Sequence, residues 1–205
     1  FNSEKDMWED WVYHVWWFTY GVVKAEDNLV IIEYSIVRGT KLNNSIIKMM
    51  DRLDTKKLVV VSSAPQIRYP DCYGIDMARL EGLVAFRAAL ELLKDAGKYD
   101  LIEEVYKKCK LQEHLEDKDV KNFVKEIYEP FNDQEISDKI AELLSEPEVK
   151  TKVKIIYQTV ENLHKACPDH LGDWYFTGNY PTFGGNRVVN RAFINFYEGN
   201  EGRSY

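Results

Sequence analysis

Two short β-branched runs set the strongest limit on how this chain can fold: Leu29-Val30-Ile31-Ile32 and Leu58-Val59-Val60-Val61. Each is too short for a core helix and reads as a strand buried in a sheet. Between them, Leu42, Ile46, Ile47, Met49, Met50 and Leu53 recur at helical spacing, after a Gly39-Thr40 turn in which Thr40 is placed to cap the helix. Strand, helix and strand in this order form a βαβ unit, which requires parallel strands.

The remaining pattern extends that unit. Pro65 and Pro70 hold an irregular segment, and a helix is expected from Met77 to Leu93. Three further helices are expected near 100–110, 117–128 and 133–145, the last opened by Asn132 or Asp133. Lys154-Ile155-Ile156-Tyr157 reads as a strand. A Gly/Pro-rich loop over 167–187 leads to a last strand over 188–197. The expectation is one α/β domain with a mostly parallel sheet flanked by helices. It divides into a βαβ core at 25–97, a helical insertion at 98–150 and a carboxy-terminal part at 151–205.

Composition narrows the partners. With 27 Lys+Arg against 34 Asp+Glu the net charge is −7, and the basic residues are scattered rather than grouped, so nucleic acid is not an expected partner. Cys72, Cys109 and Cys167 form no CxxC pair and suit a reducing, cytoplasmic setting. No apolar run reaches the length of a membrane helix. Trp8, Trp11, Tyr13, Trp16, Trp17, Phe18 and Tyr20 crowd one segment, which reads as a buried edge or an interface.

Chemistry concentrates where the first strand runs into the first helix, over Glu33-Tyr34-Ser35-Ile36-Val37-Arg38-Gly39-Thr40. Ligands of open α/β sheets sit at the carboxyl ends of strands. Successive amides in such a turn, backed by a helix dipole and joined by the Ser35 and Thr40 hydroxyls, suit a phosphate, and Gly39 permits close approach. A strand-turn-helix with one Gly and two hydroxyls also arises without a ligand, and no Walker sequence is present. Arg68 has two open readings, an anion ligand or a structural salt bridge. Asp76 is read as a helix N-cap or a substrate ligand. His164, Cys167 and His170 are read as surface and packing positions rather than metal ligands.

Ser35-Ile36-Val37-Arg38-Gly39-Thr40 resembles the phosphoribosyl pyrophosphate loop of type I phosphoribosyltransferases, in the form found in amidophosphoribosyltransferases. Ser62-Ser63-Ala64-Pro65-Gln66-Ile67-Arg68-Tyr69-Pro70, followed by Tyr73-Gly74-Ile75-Asp76-Met77, is a second match. Phe176-Thr177-Gly178-Asn179-Tyr180-Pro181-Thr182 is a third. The resemblance implies a type I phosphoribosyltransferase-like fold and a part in purine biosynthesis. Its reaction displaces pyrophosphate from phosphoribosyl pyrophosphate by ammonia drawn from glutamine, with Mg2+ as cofactor.

Residue by residue, the loop Ser35, Ile36, Val37, Arg38, Gly39 and Thr40 is implied to hold the 5-phosphate of phosphoribosyl pyrophosphate or of a purine nucleotide. Glu33 and Tyr34 take the two ribose-facing positions, with Glu33 also helping to order the magnesium-bound substrate. Tyr34 departs from the family, which has Asp there, and Lys41 stands for Thr and is expected in solvent. Trp16-Trp17 replace a Tyr-Asp pair. One branch of the family holds an iron-sulfur cluster, but Gly172 and Tyr175 stand before Phe176 and Cys72 is out of register, so no cluster is expected. The family's glutaminase domain and its upstream substrate loops have no counterpart in these residues. The expectation is therefore a fragment inactive by itself, within a homo-oligomer; a non-catalytic nucleotide-binding module of the same fold is the alternative.

Overall fold

The computed structural model of the chain describes residues 22–71, 77–145, 147–169, 172–202 and 204. The aromatic segment, Cys72, the Tyr73-Gly74-Ile75-Asp76 stretch and His170 lie outside the described residues. Three parallel strands form the sheet in the order β1 (Asn28–Glu33), β2 (Lys57–Ser62), β3 (Lys152–Tyr157). Asn28 pairs with Lys57, and Lys57 with Lys152. The expected α/β class with a parallel sheet and flanking helices is the one observed.

Between β1 and β2 runs a π-helical turn, Leu42–Ile47, that continues into α1 (Lys48–Asp51). Thr40 is not the cap. The Asn43 amide donates to the Gly39 carbonyl at 2.8 Å, so Gly39 takes the cap position and Thr40 stands in the first turn.

The helix expected from Met77 begins later, as a 3-10 turn at Leu80–Gly82 and then α2 (Val84–Asp95). A left-handed Met77 (φ 60°) and extended backbone at Arg79 and Leu83 break the earlier residues away from it. α2 takes Leu83 as its N-cap residue, and Asp76 lies outside the described residues.

α3 (Asp100–Leu111) and α4 (Asp133–Leu144) stand where the sequence places them. α4 opens with a capping box in which the Asn132 side chain accepts from the Glu135 amide and the Glu135 carboxylate accepts from the Asn132 amide. The stretch over 117–128 is not one α-helix but two 3-10 turns, Asp117–Asp119 and Phe123–Ile127, separated by extended residues Val120 and Asn122.

After β3 come α5 (Val160–Ala166), the short α6 (Trp174–Thr177) and α7 (Phe183–Glu198). The last strand expected over 188–197 is thus the greater part of a helix. Its β-branched and aromatic residues suggest a strand, yet Gly185, Val189 and Phe193 are buried at intervals of four, which is helical spacing.

α2, α3, α4, α7 and the 3-10 turn Phe123–Ile127 share one core with the sheet. Ile102, Val105, Val124, Ile127, Ile136, Ile140 and Phe193 belong to the same buried cluster as Leu58, Val60 and Ile155. α4 packs on β3 and on α2, and α3 packs on α7. Phe86 meets Phe193 and Phe196 edge to face at 6.0 and 5.0 Å.

Candidate phosphate-binding site

Strand alternation decides where the two acidic-position residues go. Glu33, Ser62 and Tyr157 form one row across the sheet, on the face that carries Leu58, Val60 and Ile155 into the core. Tyr34, next in the chain, is turned out and 89% exposed. Beyond the strand end the Ser63 amide donates to the Glu33 carbonyl (2.8 Å) and the Ala64 amide to the Tyr34 carbonyl (2.9 Å), so the second motif tracks the first.

The loop that follows is held by its carbonyls. Buried Ile36 anchors it in the core. The Val37 carbonyl accepts from the Val84 amide at 2.8 Å, and the Arg38 carbonyl from Nη2 of Arg87 at 2.6 Å. Both donors belong to the first turn of α2. The amides of Ser35, Ile36, Val37, Gly39 and Thr40 donate to no other group among the described residues. A row of unspent amides leading into a helix start is an arrangement that receives an anion.

Those amides border a cleft of about 600 Å³ lined by Glu33, every residue from Ser35 to Leu42, and Met77. That volume is of the size that takes a small-molecule ligand. Arg38 and Lys41 bring positive charge to the wall, and among the described residues Glu33 is the one carboxylate in it. Lys41 is exposed, as expected. Tyr34 is not among the lining residues. The structure thus gathers Glu33 and the residues Ser35, Ile36, Val37, Arg38, Gly39 and Thr40 around one space and leaves Tyr34 outside it.

Two participants had no part in the site as read from the sequence. Met77 adopts a left-handed backbone that a non-glycine residue rarely takes, and its side chain closes one wall of the cleft. Arg87 fixes the loop from the first turn of α2, and only the tertiary packing of α2 reveals it. Replacing Arg87 by alanine is expected to weaken nucleotide monophosphate binding about fivefold, the effect of losing one charge-assisted but exposed hydrogen bond, with the melting temperature little changed. Titration calorimetry beside thermal unfolding checks this.

The second and third motifs meet each other. The Arg68 and Tyr69 amides donate to the Tyr175 carbonyl, and the Tyr180 hydroxyl donates to the Pro70 carbonyl at 2.7 Å. Arg68 resolves as a structural salt bridge, 2.5 Å from Asp133 and also bonded to Gln66 Oε1. Burial raises the Tyr157 hydroxyl well above its usual range, and that hydroxyl has no hydrogen-bond partner. His164 lies 3.1 Å from Asp173, and Cys167 is exposed. Burial pushes the Cys109 thiol up to about 12, so it stays protonated. Among the described residues no three His, Cys, Asp or Glu side chains gather as a metal site, and no helix is long and apolar enough to cross a membrane.

No family profile matches the chain. Part of it matches curated proteins. Over 67 residues, 31% of this chain, it is 42% identical to the amidophosphoribosyltransferase of Haemophilus influenzae, covering 13% of that protein. Over 60 residues, 29% of this chain, it is 42% identical to the Escherichia coli amidophosphoribosyltransferase, covering 12% of it. Over 96 residues, 44% of this chain, it is 31% identical to the Schizosaccharomyces pombe amidophosphoribosyltransferase, covering 18% of it. A third or so of the chain therefore shares its sequence with a small part of these relatives.

Proposed function

We propose that the chain is part of an amidophosphoribosyltransferase and that the cleft at the end of β1 is its phosphoribosyl site. The observation that carries this is the set of unspent amides of Ser35, Ile36, Val37, Gly39 and Thr40, in a stretch of sequence that resembles the substrate loop of that family. In this reading the amides and the hydroxyls of Ser35 and Thr40 hold the 5-phosphate of phosphoribosyl pyrophosphate or a purine nucleotide. Glu33, at the strand end, accepts from a ribose hydroxyl and orients the sugar. Arg38 and Lys41 draw the polyanionic substrate in.

A single carboxylate among the described lining residues suits Mg2+ that would be carried largely by substrate oxygens, with Glu33 as the protein group near it. Such an ion would supply charge neutralisation for pyrophosphate as leaving group. The chain's own contribution is positioning. Ammonia comes from glutamine hydrolysed in a partner glutaminase domain, and the setting is cytoplasmic purine synthesis.

A second reading, a nucleotide-binding module without catalysis, is favoured by one observation: Tyr34 faces away from the cleft and leaves Glu33 without an acidic companion among the described residues. Both readings need the phosphate site. Calorimetry with AMP and with GMP is expected to give a dissociation constant of about 1 mM or tighter, near −4 kcal/mol. Absence of heat with either nucleotide at millimolar concentration, from folded protein, removes both.

A further inference from the structure

The sheet has a face that no described residue covers. Register places Asn28, Lys57 and Lys152 in one row, Val30, Val59 and Lys154 in the next, and Ile32, Val61 and Ile156 in the third, all on one side. Val30 is 60% exposed, Ile32 76% and Ile156 42%, whereas Leu58, Val60 and Ile155 on the opposite face are wholly buried. Tyr34 extends the patch at the carboxyl end. Parallel sheets almost always have both faces covered, and a contiguous apolar patch of this kind marks a place of contact.

We infer that this face is the docking surface for the chain's own aromatic segment, residues 8–20, whose approach is directed by the lysines at the amino end of the strands. Three observations select that occupant. The first is connection: Val22 stands only six residues ahead of Asn28, at the lysine end of the face. A turn closed by the Asp27 amide on the Lys24 carbonyl (3.0 Å), with the Lys24 amide on Asp27 Oδ2 (2.9 Å), reverses the chain there. Val22 and Val23 make no ladder with β1, which pairs with β2 alone among the described residues.

The second is charge. Glu4, Asp6, Glu9 and Asp10 precede and enter the segment against one Lys5, a charge opposite to that of Lys57, Lys152 and Lys154 on the face. A second copy of the same face would set lysines against lysines. The third is size and chemistry. Six-residue strands are about 20 Å long, and thirteen residues span that length with chain to spare. Trp8, Trp11, Trp16, Trp17 and Phe18 supply the apolar area, and lysine stems favour aromatic faces.

Four of the five tryptophans belong to the segment, so fluorescence reads it directly. With Trp174→Phe as background in the full chain, emission is expected to be blue-shifted and shielded from acrylamide. Ile32→Asp, at a position already open to solvent, is expected to shift emission to the red. It should also raise quenching to that of a free peptide of residues 1–21, with far-UV circular dichroism unchanged and the same monomer sedimentation in both proteins.

Lys154→Glu is expected to raise quenching at low salt. If Ile32→Asp loses its circular dichroism, Lys154→Glu decides alone, and unaltered quenching there overturns the inference. Peptide-like quenching in the intact chain overturns it too. So does a dimer that Ile32→Asp converts to monomer, since the face then belongs to a second copy.

Discussion

These 205 residues, expressed by themselves and supplied with ammonia, phosphoribosyl pyrophosphate and Mg2+, are expected to release pyrophosphate at well below 1 per second, about the low end for enzymes. Ammonia removes the need for a glutaminase, so the shortfall measures the phosphoribosyl site. Among the described residues Glu33 is the one carboxylate lining the cleft, and Tyr34 points out of it. Losing one positioned electrostatic group costs about 100-fold to 1000-fold in rate.

The match to the relatives also covers only 12–18% of their length, so the residues tested hold a small part of the enzyme they resemble. Closure over a substrate adds to the rate when it is present. Because position 34 faces away from the cleft, Tyr34→Asp is expected to leave substrate binding little changed and not to restore turnover. An ammonia-dependent pyrophosphate-release assay on the chain and on Tyr34→Asp reads both effects, and steady turnover near 1 per second by the unaltered chain overturns the expectation.

Gly39→Ala is expected to cost about 2–5 kcal/mol and to abolish nucleotide binding. Two penalties combine. Gly39 has φ +75°, a left-handed conformation that costs a residue with a Cβ about 1–2 kcal/mol. A Cβ there stands 2.5 Å from Cδ2 and 2.9 Å from Cδ1 of Leu144, and overpacking of a filled site costs about 1–3 kcal/mol more. Leu144 is 3% exposed and closes the last turn of α4, so its side chain has little room to retreat. Gly97→Ala makes the control: its φ is +64°, but nothing lies within 4 Å of the added carbon. Urea unfolding of the two variants therefore separates backbone strain from the clash. Equal losses at both positions mean that Leu144 yields freely.

How much was legible follows from which interactions each element depends on. β1, β2 and their helix were readable because a strand buried in a parallel sheet must be a continuous apolar run, and Leu29–Ile32 and Leu58–Val61 are such runs. The start of α4 was readable because Asn132 and Glu135 satisfy each other locally. α7 was not, because composition and periodicity disagree over Val188–Tyr197 and tertiary burial decides for periodicity.

The site divides the same way. The loop from Ser35 to Thr40 is a local motif and stands out in the sequence. That Glu33 and Tyr34 part company follows from the period of a strand, whereas Arg87 and Met77 reach the cleft only through packing between segments far apart in the chain.

The helices α2, α3 and α4 all fall within residues 63–151, between the last residue of β2 and the first of β3. β1 and β2 are joined by a short crossover and can zip together with a small loss of chain entropy. β3 has to find the far edge of β2 across the whole helical excursion, a much costlier loop to close. It has little to land on until α4, which packs on β3, is itself in place. The middle strand of the finished sheet therefore spends part of every folding event as an open edge, with Val59 and Val61 available for pairing with a strand from a neighbouring chain, and crowding on the ribosome is the condition under which that exposure matters most.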